Sequence, residues 1–265
     1  MRSAVKKIHL LHFFAQKFAY IVKKHYFCGP NRCISMQKES IRLLNVWELN
    51  PIWDVLTKSE KEEVQRQIEI KRYDKGSIIH REGDTPTHMR MLVSGKIKIY
   101  KENLRQQIIR MLKPYDFFSY RALVGGGGYN SNAEALERCI VYELNKACFI
   151  KLLQSNNAFC FRVMKNMASD LGVQEAKTVN LTQKHIPGRL AEALLSLKHN
   201  YGTDEDGVTI AMYMSREDLA NMSNMNTANA IRTLSLFAQE GIVGVDGRKI
   251  KILDEEELTK ISRLG

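Results

Sequence analysis

Between Tyr73 and Leu144 the apolar residues fall into short runs with a period near two. Residues 78–79, 89–93, 97–100, 108–112 and 140–144 are apolar or alternating. Turn-forming clusters separate them: Lys75-Gly76, Glu82-Gly83-Asp84, Ser94-Gly95 and Pro114-Tyr115-Asp116. Many short strands at such spacing predict antiparallel sheet closed into a sandwich or roll. Before this block, residues 36–70 read as short helices. One is expected to be entered at Ser59, with Glu62 three residues on completing a capping box. Residues 125–128 are four consecutive glycines. They lack the Lys-Ser/Thr of a nucleotide loop and read as a flexible loop.

From Phe149 to about Gln183 the pattern turns helical. Met164, Met167, Leu171, Gln174, Thr178 and Leu181 recur at alternating spacings of three and four, one seam of a long helix with Gln174 and Thr178 as polar interruptions. Such a helix between two domains needs cover for its stripe, and a two-fold copy of itself is the simplest cover. The expected dimer interface is therefore Met164, Met167, Leu171, Thr178 and Leu181. Pro187 suits the first turn of a further helix over residues 188–200, closed by Gly202.

Ser215 then caps a helix, with Asp218 in the box position and Leu219, Ala220 and Met222 inward. Asn224 stands where a tight inter-helix turn wants a left-handed residue. Asn226 caps a second helix over residues 227–239, with Ala230, Ile231, Leu234 and Phe237 expected inward and Gly241 ending it. Residues 242–245 and 249–253 flank the turn Asp246-Gly247 as a hairpin, and Asp254 with Glu257 caps a last short helix. Two short helices across a tight turn, followed by a hairpin, predict a winged helix-turn-helix.

Composition changes this picture little, and charge qualifies it. The 265 residues are 44% hydrophobic and 26% charged, as in a globular protein of about two domains. The formal net charge of +11 invites a nucleic-acid partner. Its distribution does not support that inference directly: residues 36–187 carry +7, whereas residues 188–265 carry −3. DNA binding by the C-terminal part must rest on a few placed cations, helix ends and dimerisation. Residues 1–35 hold seven Lys or Arg and no acid, and acidic residues and ordinary patterning begin only after Met36. They read as a basic extension that is either not native, with Met36 as the functional start, or a dispensable tail. The five cysteines (Cys28, Cys33, Cys139, Cys148, Cys160) have neither disulfide-framework nor zinc spacing, so reduced thiols and no metal or cofactor are expected. The most apolar stretch, residues 8–22, falls short of a membrane span and is interrupted by Lys17. A cytoplasmic protein is expected.

The residues Ser215-Arg216-Glu217-Asp218-Leu219-Ala220, Ile231-Arg232-Thr233-Leu234 and Glu240-Gly241-Ile242-Val243 resemble the signature of the Crp–Fnr family of bacterial regulators. Upstream, Tyr73-Asp74-Lys75-Gly76, Ile79-His80-Arg81-Glu82-Gly83-Asp84 and Leu92-Val93-Ser94-Gly95 resemble that family's cyclic-nucleotide-binding-type β-roll. The stretch from Pro114 to Phe118 and Ala133-Glu134-Ala135-Leu136-Glu137 continue the resemblance. It implies an α+β chain: an antiparallel β-roll (a double-stranded β-helix) sensory domain over 45–150, a dimerisation helix over 151–186 and a winged helix-turn-helix over 187–265. It also implies a homodimer on a palindromic double-stranded DNA site, with RNA polymerase as a possible further partner.

Two departures carry expectations of their own. Cyclic-AMP-binding members have Gly-Glu and Arg-Ser/Thr where this chain has Ser119-Tyr120 and Ser131-Asn132. The ribose then lacks its carboxylate and the phosphate its arginine, an expensive loss for a buried anion. No cyclic-AMP response of the usual kind is expected. Any other effector would meet Ser119, Tyr120, Arg121, Ser131 and Asn132, with Arg138 a further anion candidate. On the second helix Ala228 replaces the family's common Glu, and Ile231 stands where a small residue is usual, while Arg232 is kept. Without Glu there is no acceptor for cytosine, while Arg can still pair with guanine. The DNA-contact candidates are Ser215, Arg216, Asn226, Thr227, Ala228, Asn229, Arg232 and Lys249, with Lys251 weaker. The competing reading is a small-molecule-sensing module with weak or lost DNA binding. An enzyme is disfavoured, because no nucleophile–base–acid set or metal cluster shows recognisable spacing.

Overall fold

The computed structural model describes residues 50–264. The expectations for residues 1–35, and for helices before residue 50, lie outside the described residues. A short 3-10 turn, Pro51–Val55, leads into α1, Lys58–Gln67. The cap of α1 is Thr57 with Glu60, not Ser59 with Glu62 as expected. The Thr57 N–H donates to the Glu60 carboxylate at 2.8 Å. Both Thr-x-x-Glu and Ser-x-x-Glu are available, and the upstream box wins because it lengthens the helix at no loss of capping.

Eight strands follow: β1 (Ile68–Tyr73), β2 (Ile78–His80), β3 (His88–Ser94), β4 (Ile97–Glu102), β5 (Gln106–Leu112), β6 (Phe117–Phe118), β7 (Asn132–Ala135) and β8 (Cys139–Asn145). They form two antiparallel four-stranded sheets, ordered β1-β8-β3-β6 and β2-β7-β4-β5. The inward residues of both sheets, Leu92, Ile97, Leu112, Phe118 and Val141 among them, make one buried cluster. A short helix α2, Tyr120–Gly125, joins β6 to β7. Of the glycine run, Gly128 alone is required by packing, while a Cβ on Gly125, Gly126 or Gly127 would meet open space. A Cβ on Gly128 would lie 2.5 Å from the Gly83 carbonyl oxygen, so only glycine lets the two turns touch. Backbone hydrogen bonds Gly83 N–H to Tyr129 O and Tyr129 N–H to Asp84 O seal that contact.

The expected single helix after the roll is two helices: α3, Lys146–Ser155, and α4, Asn157–Gln183. Asn156 separates them. Its side-chain oxygen accepts the Phe159 N–H at 2.9 Å, while its amide donates to Val55 O and Glu60. An Asn that caps and braces in this way competes with the helical backbone, which apolar periodicity does not register. α4 docks on the roll through buried polar contacts. Asp170 accepts from the Tyr120 hydroxyl at 2.8 Å and from Arg110 at 3.1 Å, and Lys177 Nζ donates to the carbonyls of Ile108 and Ile109.

The C-terminal part comprises α5 (Ile186–Tyr201), α6 (Arg216–Met222), α7 (Thr227–Gln239), the hairpin β9 (Val243–Asp246) and β10 (Lys249–Ile252), and α8 (Glu255–Leu264). Leu190, Leu194, Leu219, Leu234, Phe237 and Leu258 are its centre, all 2% exposed or less. Tyr100 and Ile108 of the roll belong to the same buried cluster, so the roll and the helix-turn-helix share apolar surface. The fold is the antiparallel roll, long helix and winged helix-turn-helix expected from the sequence.

Candidate nucleic-acid interface

The helix-turn-helix is assembled by caps and one strained turn. The Ser215 hydroxyl accepts the Asp218 N–H at 2.9 Å and donates to the Asp218 carboxylate at 2.7 Å, which fixes the start of α6. After α6, Asn224 takes φ 50°, the left-handed conformation the tight turn demands. The Met225 N–H returns to Ala220 O at 3.0 Å. Asn226 then caps α7 by accepting the Asn229 N–H at 2.7 Å.

α7 presents two faces. Ala230, Thr233, Leu234 and Phe237 are buried against α6 and the core. Ala228, Arg232, Ser235 and Gln239 are exposed on the opposite side. Arg232 has no hydrogen-bond or ion-pair partner among the described residues. Ile231, expected inward, is instead 47% exposed. One step of about 100° beyond Ala230 carries it off the buried stripe. Thr227 and Asn229 are half-buried, and Asn226 is exposed with its side-chain oxygen engaged as a cap.

Arg216 lies at the first turn of α6, and its guanidinium does not pair within the helix. Nη2 donates to Gly247 O at 2.6 Å, so the start of α6 is tied to the β9–β10 turn. Burial lowers its pKa. Lys249 is exposed and sits 5.5 Å from the Tyr213 ring centre, while Lys251 lies 3.8 Å from Asp206. On the roll side, Gln107 donates to Asn221 O and Arg105 to the Asn224 side chain.

The candidate effector residues range from buried to exposed. Tyr120 is buried, with its hydroxyl on Asp170; burial first, and that carboxylate second, raise its pKa. Ser119 is left-handed at φ 71°, and its hydroxyl is 3.4 Å from Arg90. Ser131 and Asn132 are buried, and Asn132 accepts the Glu82 N–H at 3.0 Å. Arg121 is exposed, and Arg138 is exposed beside Asp74. The cavity beside Tyr120, lined also by Phe117, Phe149, Val163 and Asn166, holds about 10 Å³, room for about one water. Arg90 is a buried cation of the roll that the sequence reading missed. It donates to Glu143 at 2.6 Å and to the Tyr129 hydroxyl at 2.8 Å, so its charge is already neutralised.

On α4, burial repeats along Val163, Met167, Asp170, Gln174, Lys177 and Leu181, which form the covered stripe. Met164, Leu171 and Thr178 are exposed. The expected interface set thus straddles two stripes: Met167 and Leu181 are half-buried within the chain. Phe161, not expected, is 65% exposed and precedes Met164 by one turn.

Residues 70–156 match the family model of the cyclic nucleotide-binding domain, and residues 188–261 match that of the Crp-like helix-turn-helix domain. The anaerobic regulatory protein of Bacillus subtilis is 26% identical over 77% of this chain and 87% of its own length. The CRP-like cAMP-activated global transcriptional regulator of Mycobacterium tuberculosis is 21% identical over 75% of this chain and 90% of its own. Among solved structures, FixK2 from Bradyrhizobium japonicum aligns with a TM-score of 0.67 at 23% identity, over 73% of this chain and 96% of that one. A putative regulator of the crp/fnr family from Eubacterium rectale aligns with a TM-score of 0.68 at 20% identity, over 82% and 99%. With both domain models in this order on one chain, and with these relatives, the chain belongs to the Crp–Fnr family of transcriptional regulators.

Proposed function

We propose that this regulator acts as a homodimer on a palindromic double-stranded DNA site, reads each half-site with α7 in the major groove, and is not controlled by cyclic AMP. The observation that carries the reading is the outer face of α7. Ala228, Arg232 and Ser235 are exposed there, and Arg232, the one cation between Asn226 and Gln239, is free to fork onto a guanine edge. Arg216, beside the wing turn, supplies the phosphate side of the interface, at a helix start that Ser215 fixes by capping.

Dimerisation is supported by the exposed strip of α4. Phe161, Met164 and Leu171, with Val173 and Val179, leave apolar area in water on one long helix. Taken at three-four spacing the strip is Phe161, Met164, Ala168, Leu171, Glu175, Thr178 and Thr182, one stripe over from the covered side. Independence from cyclic AMP is supported by the roll. Tyr120 is locked onto Asp170, and Arg90 is paired with Glu143. The mycobacterial relative is cAMP-activated; this chain lacks the groups for that control. Action on promoters makes RNA polymerase the expected second partner and the cytoplasm the expected place of work.

Selection from a random duplex pool by the purified protein tests the reading. A recovered inverted repeat bound at two chains per duplex supports it. Recovery of no enriched sequence, or of a site bound by one chain, counts against it.

A further inference from the structure

We propose that Ile231, together with Ala228, reads thymine methyl groups in the major groove beside the guanine contacted by Arg232. This deepens the DNA-binding reading and rests on it. Ile231 is exposed although α7 already has a complete inward stripe in Ala230, Thr233, Leu234 and Phe237. A single exposed apolar residue is ordinary on a protein surface. What distinguishes Ile231 is its company. It lies one turn from Ala228 and one turn from Ser235, and it adjoins Arg232, so it borders the outward face of the helix.

The chemistry of that face narrows what it can contact. It holds no carboxylate from Asn226 to Gln239, so it offers no acceptor with the charge to select cytosine. Its cation is spoken for by guanine. The apolar surface near the helix start is the methyl of Ala228 and the branched side chain of Ile231. Of the groups on base edges in the major groove, the thymine C5-methyl is the apolar one. Phosphate, the other surface within reach, gains nothing from an aliphatic partner and would be desolvated by it. Residues one helical turn apart are separated by about 5 Å along the axis, while stacked bases rise about 3.4 Å. Ala228 and Ile231 therefore address positions one or two base steps apart, next to the step that Arg232 reads.

The test removes the methyl and nothing else. In the duplex selected above, each thymine is replaced in turn by deoxyuridine, and binding is followed by fluorescence anisotropy at fixed salt. One or two thymines per half-site should weaken binding about three- to fivefold on replacement, the loss expected for one buried methyl. Ile231→Ala should weaken the thymine duplex to the level of the duplex carrying uracil at the position Ile231 reads, and be indifferent to the exchange there. Thermal melting of Ile231→Ala, expected unchanged for so exposed a side chain, keeps a folding defect apart from a lost contact. Leu236→Ala, an equally exposed apolar residue five positions further along α7, should keep the natural preference for thymine. The proposal is overturned if uracil is tolerated at every position, or if Ile231→Ala keeps the ratio or Leu236→Ala loses it. If the pool yields no bound duplex at all, the DNA-binding reading falls first and takes this one with it.

Discussion

Lys98 Nζ lies 3.2 Å from Asp218 Oδ1, which joins a central strand of the roll to the first helix of the helix-turn-helix. The same ammonium reaches Glu134 at 3.4 Å and donates to the Gln106 side chain at 3.0 Å. Burial acts to lower the Lys98 pKa, but Asp218 and Glu134 outweigh it, and the pKa is raised. Both carboxylates are themselves largely covered. Lys98→Met should cost about 1–3 kcal/mol in urea unfolding, because it strands two carboxylates in a poorly solvated place. A change below about 0.5 kcal/mol would mean that water already screens the pair.

A second expectation concerns acid. His80 stacks on Tyr129 at 3.9 Å between ring centres, with its Nδ1 3.5 Å from Arg90. Burial, and then the Arg90 charge, push its pKa down from 6.5 to about 4, despite Asp84 and a hydrogen bond with the Ser131 backbone acting the other way. The folded pKa lies below the unfolded one, so between pH 6.5 and about 4 the unfolded chain binds more protons. Stability due to the neutral ring is complete above that window and drains away as pH falls through it. Compared with His80→Phe, the natural chain should lose about 2–3 kcal/mol between pH 7 and pH 4.5. A difference between the two that stays constant with pH would show the ring titrating normally.

The fold was legible because its signals are local. Period-two runs bounded by Gly and Pro gave β2, β3, β4, β5 and β8 but not β1, β6 or β7, and Ser215, Asn224 and Asn226 gave the two helices and their turn. What was not legible depends on which face of an element is covered. Two stripes of α4 share the three-four spacing, and nothing along the chain says that the roll takes the one with Met167, Asp170 and Lys177. The same holds for Ile231, one residue from a buried neighbour on each count of the periodicity. Arg90 and Glu143 were invisible for another reason: they are 53 residues apart and meet only when β3 pairs with β8.

That register has a consequence for assembly. Leu171 is 60% exposed in the middle of the strip, and in a two-fold pair of α4 helices its replacement by Glu would bury two unpaired carboxylates. Leu171→Glu and Phe161→Glu should each sediment as folded monomers and fail to bind the palindromic site. A Leu171→Glu protein that still sediments as a dimer would place the interface elsewhere.

Cyclic AMP should give no binding heat at millimolar concentration in calorimetry. Its phosphate would find Arg90 already held by Glu143, and its ribose would find at position 120 a tyrosine engaged with Asp170 instead of a carboxylate. Saturable binding at micromolar nucleotide would require α4 to leave the roll, and Asp170→Asn, which weakens the Tyr120 and Arg110 contacts, would then tighten it.

Arg232 and Arg216 should separate the two halves of DNA recognition. Arg232 is exposed and unpaired on α7, so its fork is available to guanine, and Arg232→Ala should cost about 1–3 kcal/mol with loss of preference at one base pair per half-site. Arg216 is held differently, with Nη2 on the Gly247 carbonyl of the wing turn. Its loss should weaken selected and scrambled duplexes alike and reduce the salt slope by about one per contact. Because that hydrogen bond also fixes the wing turn, Arg216→Lys should recover the salt slope, which needs only charge, but not the full affinity, which needs the fork. The measurement is a titration of the three variants on both duplexes at several salt concentrations. An Arg232→Ala protein that weakens both duplexes equally would move Arg232 to the phosphate side and shift the register of α7 in the groove. An Arg216→Lys protein with full affinity would show that the tie to Gly247 plays no part on DNA.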